Sequence, residues 1–394
     1  MSLQFTTTAG ALRSVLQTAS KVAATKDTLP ILSCVLLTAD ESGVTVAASN
    51  LEVGLLLPLD AEITEPGVIA AHARPMLAVA KNIPPNTPVT VQAEKDSLHL
   101  TLTYGPTSTR FVTMPTNEFP ECVGMTKTPR CEFTLPTETL RRLLRSADFA
   151  APGETSYVLN GILFDVNEKG IHTVGTDSHI LGMQMVPVAG VPSDKQIAMI
   201  LPTCAVSAIE SVLPAKNSPP SVRIQMGEVG DNPMHPYAGQ FRFQVGNAVV
   251  SCRACDGGYP PWRKIIPEDH DEYLCQPVVE SAALLRALLA VGPTTNPKAP
   301  SVHCRVDADK LTLETSCPDF GSSTTTIPVL GGVPSGMTPH VVVFKTSYAQ
   351  RSLQFLNSDT VQFQMPPDVL SAIFVTPYPS DGNSIALIMP RRIE

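Results

Sequence analysis

Residues 131–149 read CEFTLPTETLRRLLRSADF, and this stretch contains the pattern on which the rest of the chain is built. A short alternating strand, residues 131–135, leads into Pro136, and proline is tolerated in a first helical turn because its missing N–H has no partner there. Apolar residues then recur at the i, i+3, i+4, i+7 spacing of one helix face: Leu140, Leu143, Leu144 and Ala147. The stretch therefore predicts a strand followed directly by a helix with one buried side.

The same pattern occurs near the N-terminus and again in the last third of the chain. Residues 3–6 lead into an apolar stripe of Leu12, Val15, Leu16 and Ala19. Residues 273–278 lead into a stripe of Leu285, Leu288 and Leu289. In all three copies an arginine follows the first leucine of the stripe, at Arg13, Arg141 and Arg286. The sequence therefore predicts three copies of one unit that begins with a strand followed by a helix.

Each copy continues in the same order. A pair of strands is predicted at residues 31–38 and 43–57, at 159–166 and 170–186, and at 302–306 and 310–315. A second helix is predicted at residues 73–83, 202–213 and 345–357, followed by a polar turn and alternating strands. We expect an α+β chain of three tandem domains, each with two helices on β-sheets, at residues 1–128, 129–270 and 271–394.

Composition narrows the class of protein. With 43% hydrophobic and 16% charged residues, no apolar run of membrane-spanning length and no signal pattern, the sequence predicts a globular protein of the cytoplasm. Nine scattered cysteines suit a reducing compartment, and no cofactor is implied. Cys252 and Cys255 form a Cys-x-x-Cys without a second pair or nearby histidines, which favours two strand cysteines over a metal site.

Charge is distributed unevenly along the chain. The net charge of −8 alone argues against a nucleic-acid binder. The predicted helices with their flanks nevertheless carry 12 basic against 5 acidic residues, in segments 8–27, 73–83, 136–149, 202–216, 279–291 and 345–357. The rest of the chain carries 16 basic against 31 acidic residues. A solvated face would explain one basic helix, but a bias repeated in three units indicates a helical side that faces a polyanion.

Several short motifs resemble those of a known family, the bacterial sliding clamps (the beta subunit of DNA polymerase III). They are Thr28-Leu-Pro-Ile-Leu32, Phe133-Thr-Leu-Pro136, Leu159-Asn-Gly161, Thr176-Asp-Ser-His179, Asp256-Gly-Gly-Tyr-Pro260 and Met389-Pro-Arg391. The resemblance covers the whole chain. It implies three tandem domains of the DNA clamp fold, and a head-to-tail homodimer that closes a six-domain ring around duplex DNA. Helices would line the hole and sheets would form the rim.

The resemblance also implies a surface for double-stranded DNA, recognised through phosphates and independently of sequence. The residues expected there are Arg13, Lys26, Arg74, Lys81, Arg141, Arg142, Arg145 and Tyr157. The second helix of the second unit departs from the family, with Thr203, Cys204 and Ser211 where basic residues are usual. DNA contact through that unit is therefore expected to be weaker than in typical members.

A second implied site is a pocket between the second and third domains that takes a short motif of one glutamine and large apolar residues. The expected partners are the DNA polymerase III alpha subunit, the clamp loader and other clamp-motif proteins. The expected pocket residues are Leu159, Thr176, Ser178, His179, Ile180, Leu181, Pro260, Lys264, Ile265, Val369, Ser371, Leu387, Ile388, Met389, Pro390, Arg391 and Arg392. For any single aliphatic residue among them, plain core packing is an equal alternative.

The rim of this expected pocket departs from the family more than its floor. Ile180 stands where arginine is common, Ser178 where glycine is common, and Ser156 where arginine is frequent, while Arg391 replaces an apolar residue. These changes point to altered partner or inhibitor binding. A duplicated, specialised clamp is therefore an alternative to the housekeeping one.

The sequence argues against two other function classes, a hydrolytic enzyme and a scaffold that binds only protein. Thr176-Asp-Ser-His179 contains Ser, His and Asp, but neighbours on a strand end point in different directions, whereas a catalytic triad needs each member to orient the next. A scaffold that binds only protein would leave the basic helices without a role. The favoured reading is a non-catalytic clamp, with residues 109–114, including Phe111, meeting residues 288–295 of a second copy.

Overall fold

The computed structural model describes residues 2–24, 29–94, 98–120, 129–151, 158–188, 196–214, 221–227, 239–266, 273–380 and 382–392. The chain forms two compact units, residues 1–141 with 201–257 and residues 142–200 with 258–394. The predicted domain boundaries near residues 128 and 270 both lie outside the described residues. The division at those two positions therefore stays a prediction.

The first repeat contains two helices, α1 (Ala9–Val22) and α2 (Ala73–Lys81). Its strands are β1 (Leu3–Thr8), β2 (Cys34–Asp40), β3 (Gly43–Ser49), β4 (Val53–Leu59), β5 (Ala61–Glu65), β6 (Gly67–His72), β7 (Pro88–Ala93), β8 (His99–Tyr104) and β9 (Thr107–Met114). The buried face of α1 is formed by Leu12, Leu16 and Ala19, as the apolar spacing predicts. The Thr8 hydroxyl caps the helix by accepting from the Ala11 N–H at 3.2 Å.

The second repeat contains the helices α3 (Thr137–Leu144) and α4 (Thr203–Val212). Its strands are β10 (Cys131–Pro136), β11 (Gly161–Asn167), β12 (Gly170–Thr176), β13 (Ile180–Val186), β14 (Ile197–Pro202), β15 (Ser221–Gly227), β16 (Gln240–Val245) and β17 (Ala248–Arg253). The predicted helix of the opening stretch is shorter than expected, because the chain tightens into a 3-10 helix over Arg145–Phe149.

The third repeat contains the helices α5 (Ser281–Val291) and α6 (Thr346–Leu356). Its strands are β18 (Val278–Glu280), β19 (Ser301–Val306), β20 (Lys310–Cys317), β21 (Gly321–Pro328), β22 (His340–Lys345), β23 (Thr360–Gln364), β24 (Ile373–Pro377) and β25 (Ser384–Ile388). Every predicted second helix is present within two residues of its expected bounds.

The three repeats share one pairing scheme. The strand before the first helix pairs antiparallel with the strand after the second helix, as β1 with β7, β10 with β15, and β18 with β23. The strand after the first helix is the neighbour of the strand that enters the second helix, as β2 with β6, β11 with β14, and β19 with β22. The repetition predicted from the sequence is therefore present in the topology.

Successive repeats are joined through their sheets in one recurring way. The last strand of a repeat pairs with one strand of the repeat before it, namely the third strand after that repeat's first helix. These pairs are β17 with β4 and β25 with β13. These pairings build a sheet of 13 strands in the first compact unit and a sheet of 8 strands in the second. The second repeat contributes strands to both sheets, which is why the compact units do not follow the repeats.

Two strands lack the partner that this scheme assigns to them within the described chain. In the last repeat, the third strand after the first helix is β21. Among the described residues it is the outer strand of its four-stranded sheet and pairs only with β20. The last strand of the first repeat, β9, pairs fully with β8 but meets β6 only at Thr113 and Met114. β21 exposes five of its eight residues and β9 four of its eight, whereas the joining strands β4 and β13 are mostly buried.

The structure corrects three of the predicted segments. The single strands expected at residues 43–57 and 170–186 are each two strands, interrupted by turns in which Leu51 and Ser178 adopt positive φ. The strand expected at residues 273–278 is reduced to an isolated bridge at Cys275 before β18. The stripe of α5 is also shifted, because Leu284, Leu288 and Val291 are its largest buried residues, while Leu289 is 58% exposed.

Candidate functional site

The turn between β12 and β13 is closed by its own side chains. One Asp177 carboxylate oxygen, Oδ1, accepts from the backbone N–H groups of His179 and Ile180, both at 2.9 Å. The Thr176 hydroxyl donates to the Ile180 carbonyl at 2.7 Å. Because Asp177 binds the backbone of this turn, it does not orient the His179 ring, and the turn lacks the relay of a catalytic triad.

The C-terminal segment is fixed against this turn. The strand β25 pairs with β13 through Leu387 and Ile388, and the Met389 N–H then donates to the His179 carbonyl at 2.9 Å. Two residues later the Arg391 N–H donates to the Val343 carbonyl at 2.7 Å. These backbone bonds hold the segment 389–391 between the turn and β22.

A cavity of about 410 Å³ lies beside this docked segment. The residues that line it are His179, Lys345, Tyr348, Met389, Pro390, Arg391 and Arg392. The set combines an aromatic ring, a flexible thioether and a proline with several cationic groups. Such a mixture suits a peptide side chain with a large apolar anchor and polar neighbours.

The aromatic ring of Tyr348 contacts two other residues that line the cavity, His179 and Lys345. Its ring stacks on His179, with the ring centroids 6.5 Å apart and the planes at 19°, and the Lys345 ammonium lies 5.0 Å from its centroid. Burial and the Asp177 carboxylate raise the pKa of the Tyr348 phenol, against the opposing effect of Arg351 and Arg391. The hydroxyl is therefore protonated at neutral pH and can donate a hydrogen bond.

Five of the expected pocket residues line the cavity, namely His179, Met389, Pro390, Arg391 and Arg392. Ile180, Leu181, Leu387 and Ile388 are buried on the paired strands β13 and β25, directly behind it. Thr176 is buried and Ser178 exposed in the turn. The remaining six lie in the same compact unit but outside the lining of this cavity: Leu159, Pro260, Lys264, Ile265, Val369 and Ser371. Of these, Ile265 is 44% exposed.

Lys345 and Tyr348 were not expected in the pocket. The sequence places them at the start of a predicted helix, residues 345–357, where Lys345 counts as one more helical cation. Only the register of β22 and the turn into α6 bring both side chains to the docked C-terminal segment. No spacing within the sequence would have indicated this contact.

The cations expected at the DNA surface have different surroundings. On α2, Arg74 and Lys81 are exposed, and on α1, Arg13 is half-buried beside the apolar stripe. Lys26 and Tyr157 lie outside the described residues. The three described residues on α1 and α2 belong to one compact unit, in which these two helices pack against each other.

The three arginines of the opening stretch are less accessible than expected. The Arg141 guanidinium donates to the Pro214 carbonyl and lies 3.5 Å from the Glu138 carboxylate. Arg142 and Arg145 are half-buried, and the Arg142 Nε is shielded from solvent. Arg141 therefore contributes to helix packing, and its charge is partly neutralised within the protein.

Cys252 and Cys255 are both buried. Burial is the main reason why the pKa of the Cys252 thiol lies well above its usual value. Across the described ranges, no group of three or more His, Cys, Asp or Glu side chains is arranged to hold a metal ion. The same part of the chain has no helix that is both long and apolar enough to span a membrane.

The known proteins and family models that this chain matches all point to the same family. The family model of the DNA polymerase III beta subunit, N-terminal domain, matches residues 3–123, and that of its central domain matches residues 134–261. The beta sliding clamps of Salmonella typhimurium and Escherichia coli K12 are each 25% identical to the chain, covering 99% of it and 100% of themselves.

Solved structures show the same fold. A sliding clamp from Pseudomonas aeruginosa, bound to griselimycin, is similar with a TM-score of 0.86 and 24% identity over 100% of both chains. A DNA polymerase III beta subunit from Thermotoga maritima is similar with a TM-score of 0.84 and 19% identity, again over 100% of both chains.

Proposed function

The chain belongs to the DNA polymerase III beta subunit family, and from that membership we propose that it closes into a ring around duplex DNA and tethers its partners there. It is a sliding clamp, a processivity factor without catalytic activity of its own. The cytoplasm, where bacterial DNA is replicated, is the compartment we assign to it. No observation favours the alternative of a duplicated, specialised clamp.

We infer that the ring forms from two chains in head-to-tail order. Inside the chain, the third strand after the first helix of one repeat pairs with the last strand of the next repeat. β21 is the corresponding third strand of the last repeat, and β9 is the last strand of the first repeat. These two strands can therefore form the same pairing between two chains. Apolar side chains are exposed nearby, with Val112 on β9 61% exposed and Leu289, on the helix packed against β21, 58% exposed. An exposed strand edge readily pairs with another chain.

We propose that the protein stays on DNA because the ring encircles the duplex, and not because it binds tightly. Arg13, Arg74 and Lys81 offer sequence-independent contacts to phosphates, which are individually weak and screened by salt. The acidic remainder of the chain discourages DNA from binding elsewhere. Arg142, Arg145, Lys26 and Tyr157 stay candidates for this surface. Arg141 also stays a candidate, although its guanidinium already contacts the Pro214 carbonyl and the Glu138 carboxylate.

The cavity at the C-terminal segment is the proposed docking site for the DNA polymerase III alpha subunit, the clamp loader and other clamp-motif proteins. Tyr348 and Met389 provide the apolar surface for a large side chain, and the buried strand pair behind them keeps that surface in place. The six expected pocket residues outside this cavity are proposed to receive the rest of the motif. The repeated pairing scheme, in which β21 and β9 lack the partner that the scheme assigns to them, is the single observation that carries the proposed function.

The experiment is retention on DNA. The chain is placed on a nicked circular duplex by a bacterial clamp loader, washed with salt, and followed before and after one cut linearises the circle. We expect retention on the circle and release after the cut, because a ring leaves a free end by sliding. Equal retention on circular and linear DNA would contradict the proposal.

A charge test accompanies this experiment. Substituting Arg13, Arg74 and Lys81 together by serine is expected to lower loading several-fold, because phosphate contacts are lost. A matched control removes the same charge from exposed lysines elsewhere, by substituting Lys169, Lys298 and Lys310 with serine. Similar loading of the two triple variants would argue against the assigned DNA surface.

A further inference from the structure

The segment 259–265 lies outside the cavity lining but is fixed to the strand that leads to the cavity. The Tyr259 hydroxyl donates to the Val174 carbonyl of β12 at 2.8 Å. The strand β12 ends two residues later, at Thr176, and the turn that follows carries His179 to the cavity. The bond from Tyr259 therefore ties the position of the segment to that of the turn.

Trp262 is the buried anchor of this segment. Its side chain is 6% exposed, and its ring lies beside that of His172 on β12, with the ring centroids 5.6 Å apart and the planes at 43°. Burial and, after it, the Arg263 guanidinium lower the pKa of His172, so that the imidazole is mainly neutral at pH 7. A neutral imidazole packs against the indole without repelling the nearby cation.

Arg263 joins the segment to the neighbouring strand β11. Its guanidinium carbon lies 4.4 Å from the centroid of the Trp262 ring, and the guanidinium donates to the Asp165 carboxylate. Asp165 is 1% exposed, and its other oxygen accepts from the Gln196 amide at 2.8 Å. The carboxylate is thus fixed by two donors, and the planar guanidinium that binds it is held against the indole at the same time.

The residues that follow these anchors are exposed on a fixed backbone. A 3-10 helix covers Trp262–Lys264, and the Ile265 N–H donates to the Trp262 carbonyl at 3.0 Å. Lys264 is exposed, and Ile265 is 44% exposed. An apolar side chain on a backbone that is already ordered can bind a partner with little further loss of conformational freedom.

We propose that Arg263 and Asp165 are positioning residues for partner binding, because their ion pair, together with Trp262, holds Ile265 where it contacts the bound peptide. The inference rests on the proposed docking function and adds residues that act on the partner through another side chain. Without the ion pair, binding would first have to order the turn at Ile265, which lowers affinity.

The experiment is a double-mutant cycle on the full-length protein. A fluorescent peptide with one glutamine, one leucine and one phenylalanine is titrated by anisotropy against the natural protein, Arg263→Gln, Ile265→Ala and the variant with both changes. The matched control is Arg305→Gln, because Arg305 is also about half exposed and forms an ion pair with Asp307 at 3.3 Å in the same compact unit.

We expect Arg263→Gln and Ile265→Ala each to weaken peptide binding about fivefold. The variant with both changes should bind no more weakly than Ile265→Ala alone, since the ion pair acts through that side chain. Independent effects would instead multiply to about twenty-five-fold. The control Arg305→Gln should keep the natural affinity.

A second variant separates positioning from folding. Arg263→Gln leaves the buried Asp165 carboxylate without its cation, which lowers stability. Asp165→Asn combined with Arg263→Gln replaces the two charges by two amides, and such a paired replacement can be nearly neutral for stability. This variant should keep the unfolding midpoint close to that of the natural protein and still weaken the peptide about fivefold, because no cation holds the indole.

Trp262 gives an independent signal, because it is the only tryptophan of the chain. The peptide contains none, so fluorescence excited beyond the absorption of tyrosine reports on Trp262 alone. When an unlabelled peptide of the same sequence binds the natural protein, we expect the emission to change and to saturate over the same concentrations as the anisotropy. A role of the ion pair in stability alone would not produce this signal.

The inference fails, and docking stands, if the peptide binds but the effects of Arg263→Gln and Ile265→Ala multiply. Natural affinity in the variant with two amides, an equal loss of affinity in Arg305→Gln, or unchanged Trp262 emission on binding would overturn it in the same way. If the peptide does not bind the natural protein at all, the docking function is overturned and this inference with it.

Discussion

Tyr348 illustrates how one side chain can join two distant parts of the sequence. It stacks on His179, lies under the Lys345 ammonium and lines the cavity beside Met389. Aromatic residues in such positions often dominate the affinity of an interface, because they bury a large surface at low cost in conformational freedom. We therefore assign Tyr348 the main part of partner binding in this cavity.

Replacing Tyr348 by alanine should lower the affinity for a clamp-motif peptide by about 2 kcal/mol, or roughly thirtyfold. Binding is measured by fluorescence anisotropy. Tyr378, which is 47% exposed in the same compact unit, is the matched control when replaced by alanine. A loss of affinity in the Tyr378 variant equal to that in the Tyr348 variant would refute the assignment.

Ser178 occupies a backbone conformation that suits glycine. Its φ is 77°, in the left-handed region that is unfavourable for most residues with a side chain. Ser178→Gly should therefore stabilise the protein by about 0.5–1 kcal/mol, after allowing for the greater freedom of glycine in the unfolded chain. The measurement is the midpoint of thermal unfolding, which should rise by a few degrees.

The control for this substitution is Ser335→Gly at an exposed turn residue that is not among the positive-φ positions. It should leave the midpoint unchanged or lower it. If Ser178→Gly lowered the midpoint as well, the turn would not have the strain that we attribute to it.

Neighbouring repeats are joined by pairing between a strand of one repeat and a strand of the next. Inside the chain, β4 with β17 and β13 with β25 bury their shared edges, and each pairing is continued by one more backbone bond. The Arg253 N–H donates to the Glu52 carbonyl at 3.1 Å, and the Met389 N–H donates to His179 in the equivalent place. This recurrence is the reason for assigning the same role to β21 and β9 between two chains.

Leu289→Asp should break the proposed homodimer, because burying an unpaired carboxylate in an apolar contact costs several kcal/mol. Analytical ultracentrifugation should then report a species of 42.0 kDa in place of one of twice that mass. Leu51→Asp is the control, since Leu51 is 47% exposed in a turn and lies on neither free strand. A dimer that survives Leu289→Asp at micromolar concentration would contradict the assigned contact.

The helices were predictable from the sequence because their apolar spacing reports directly on one buried face, as with Leu12, Leu16 and Ala19. The turn at Ser178 was not predicted, since the Asx turn over residues 176–180 contains neither glycine nor proline. In α5 the run of apolar residues offered two possible stripes, and only packing selects Leu284 over Leu289.

The pocket was only partly predictable for a related reason. His179 and the segment 389–392 carry recognisable motifs, whereas Lys345 reaches the cavity through strand register. Contacts between residues far apart in sequence depend on the sheet that joins the repeats, and no local pattern encodes that pairing.

A repeated unit with uneven charge accounts for the function we propose. The segments predicted as helices carry a net positive charge and the remaining chain a net negative one. A closed ring with its helices inward would keep DNA by topology and let weak phosphate contacts permit sliding. Neither a strong individual DNA contact nor a catalytic residue is needed for this role.

The most direct test of this account is an image of the particle by negative-stain electron microscopy, without DNA or partners. The account predicts closed rings with a central opening, each built from two chains and six similar domains. Solid particles without an opening, or open arcs of a single chain at concentrations where the dimer should persist, would contradict it.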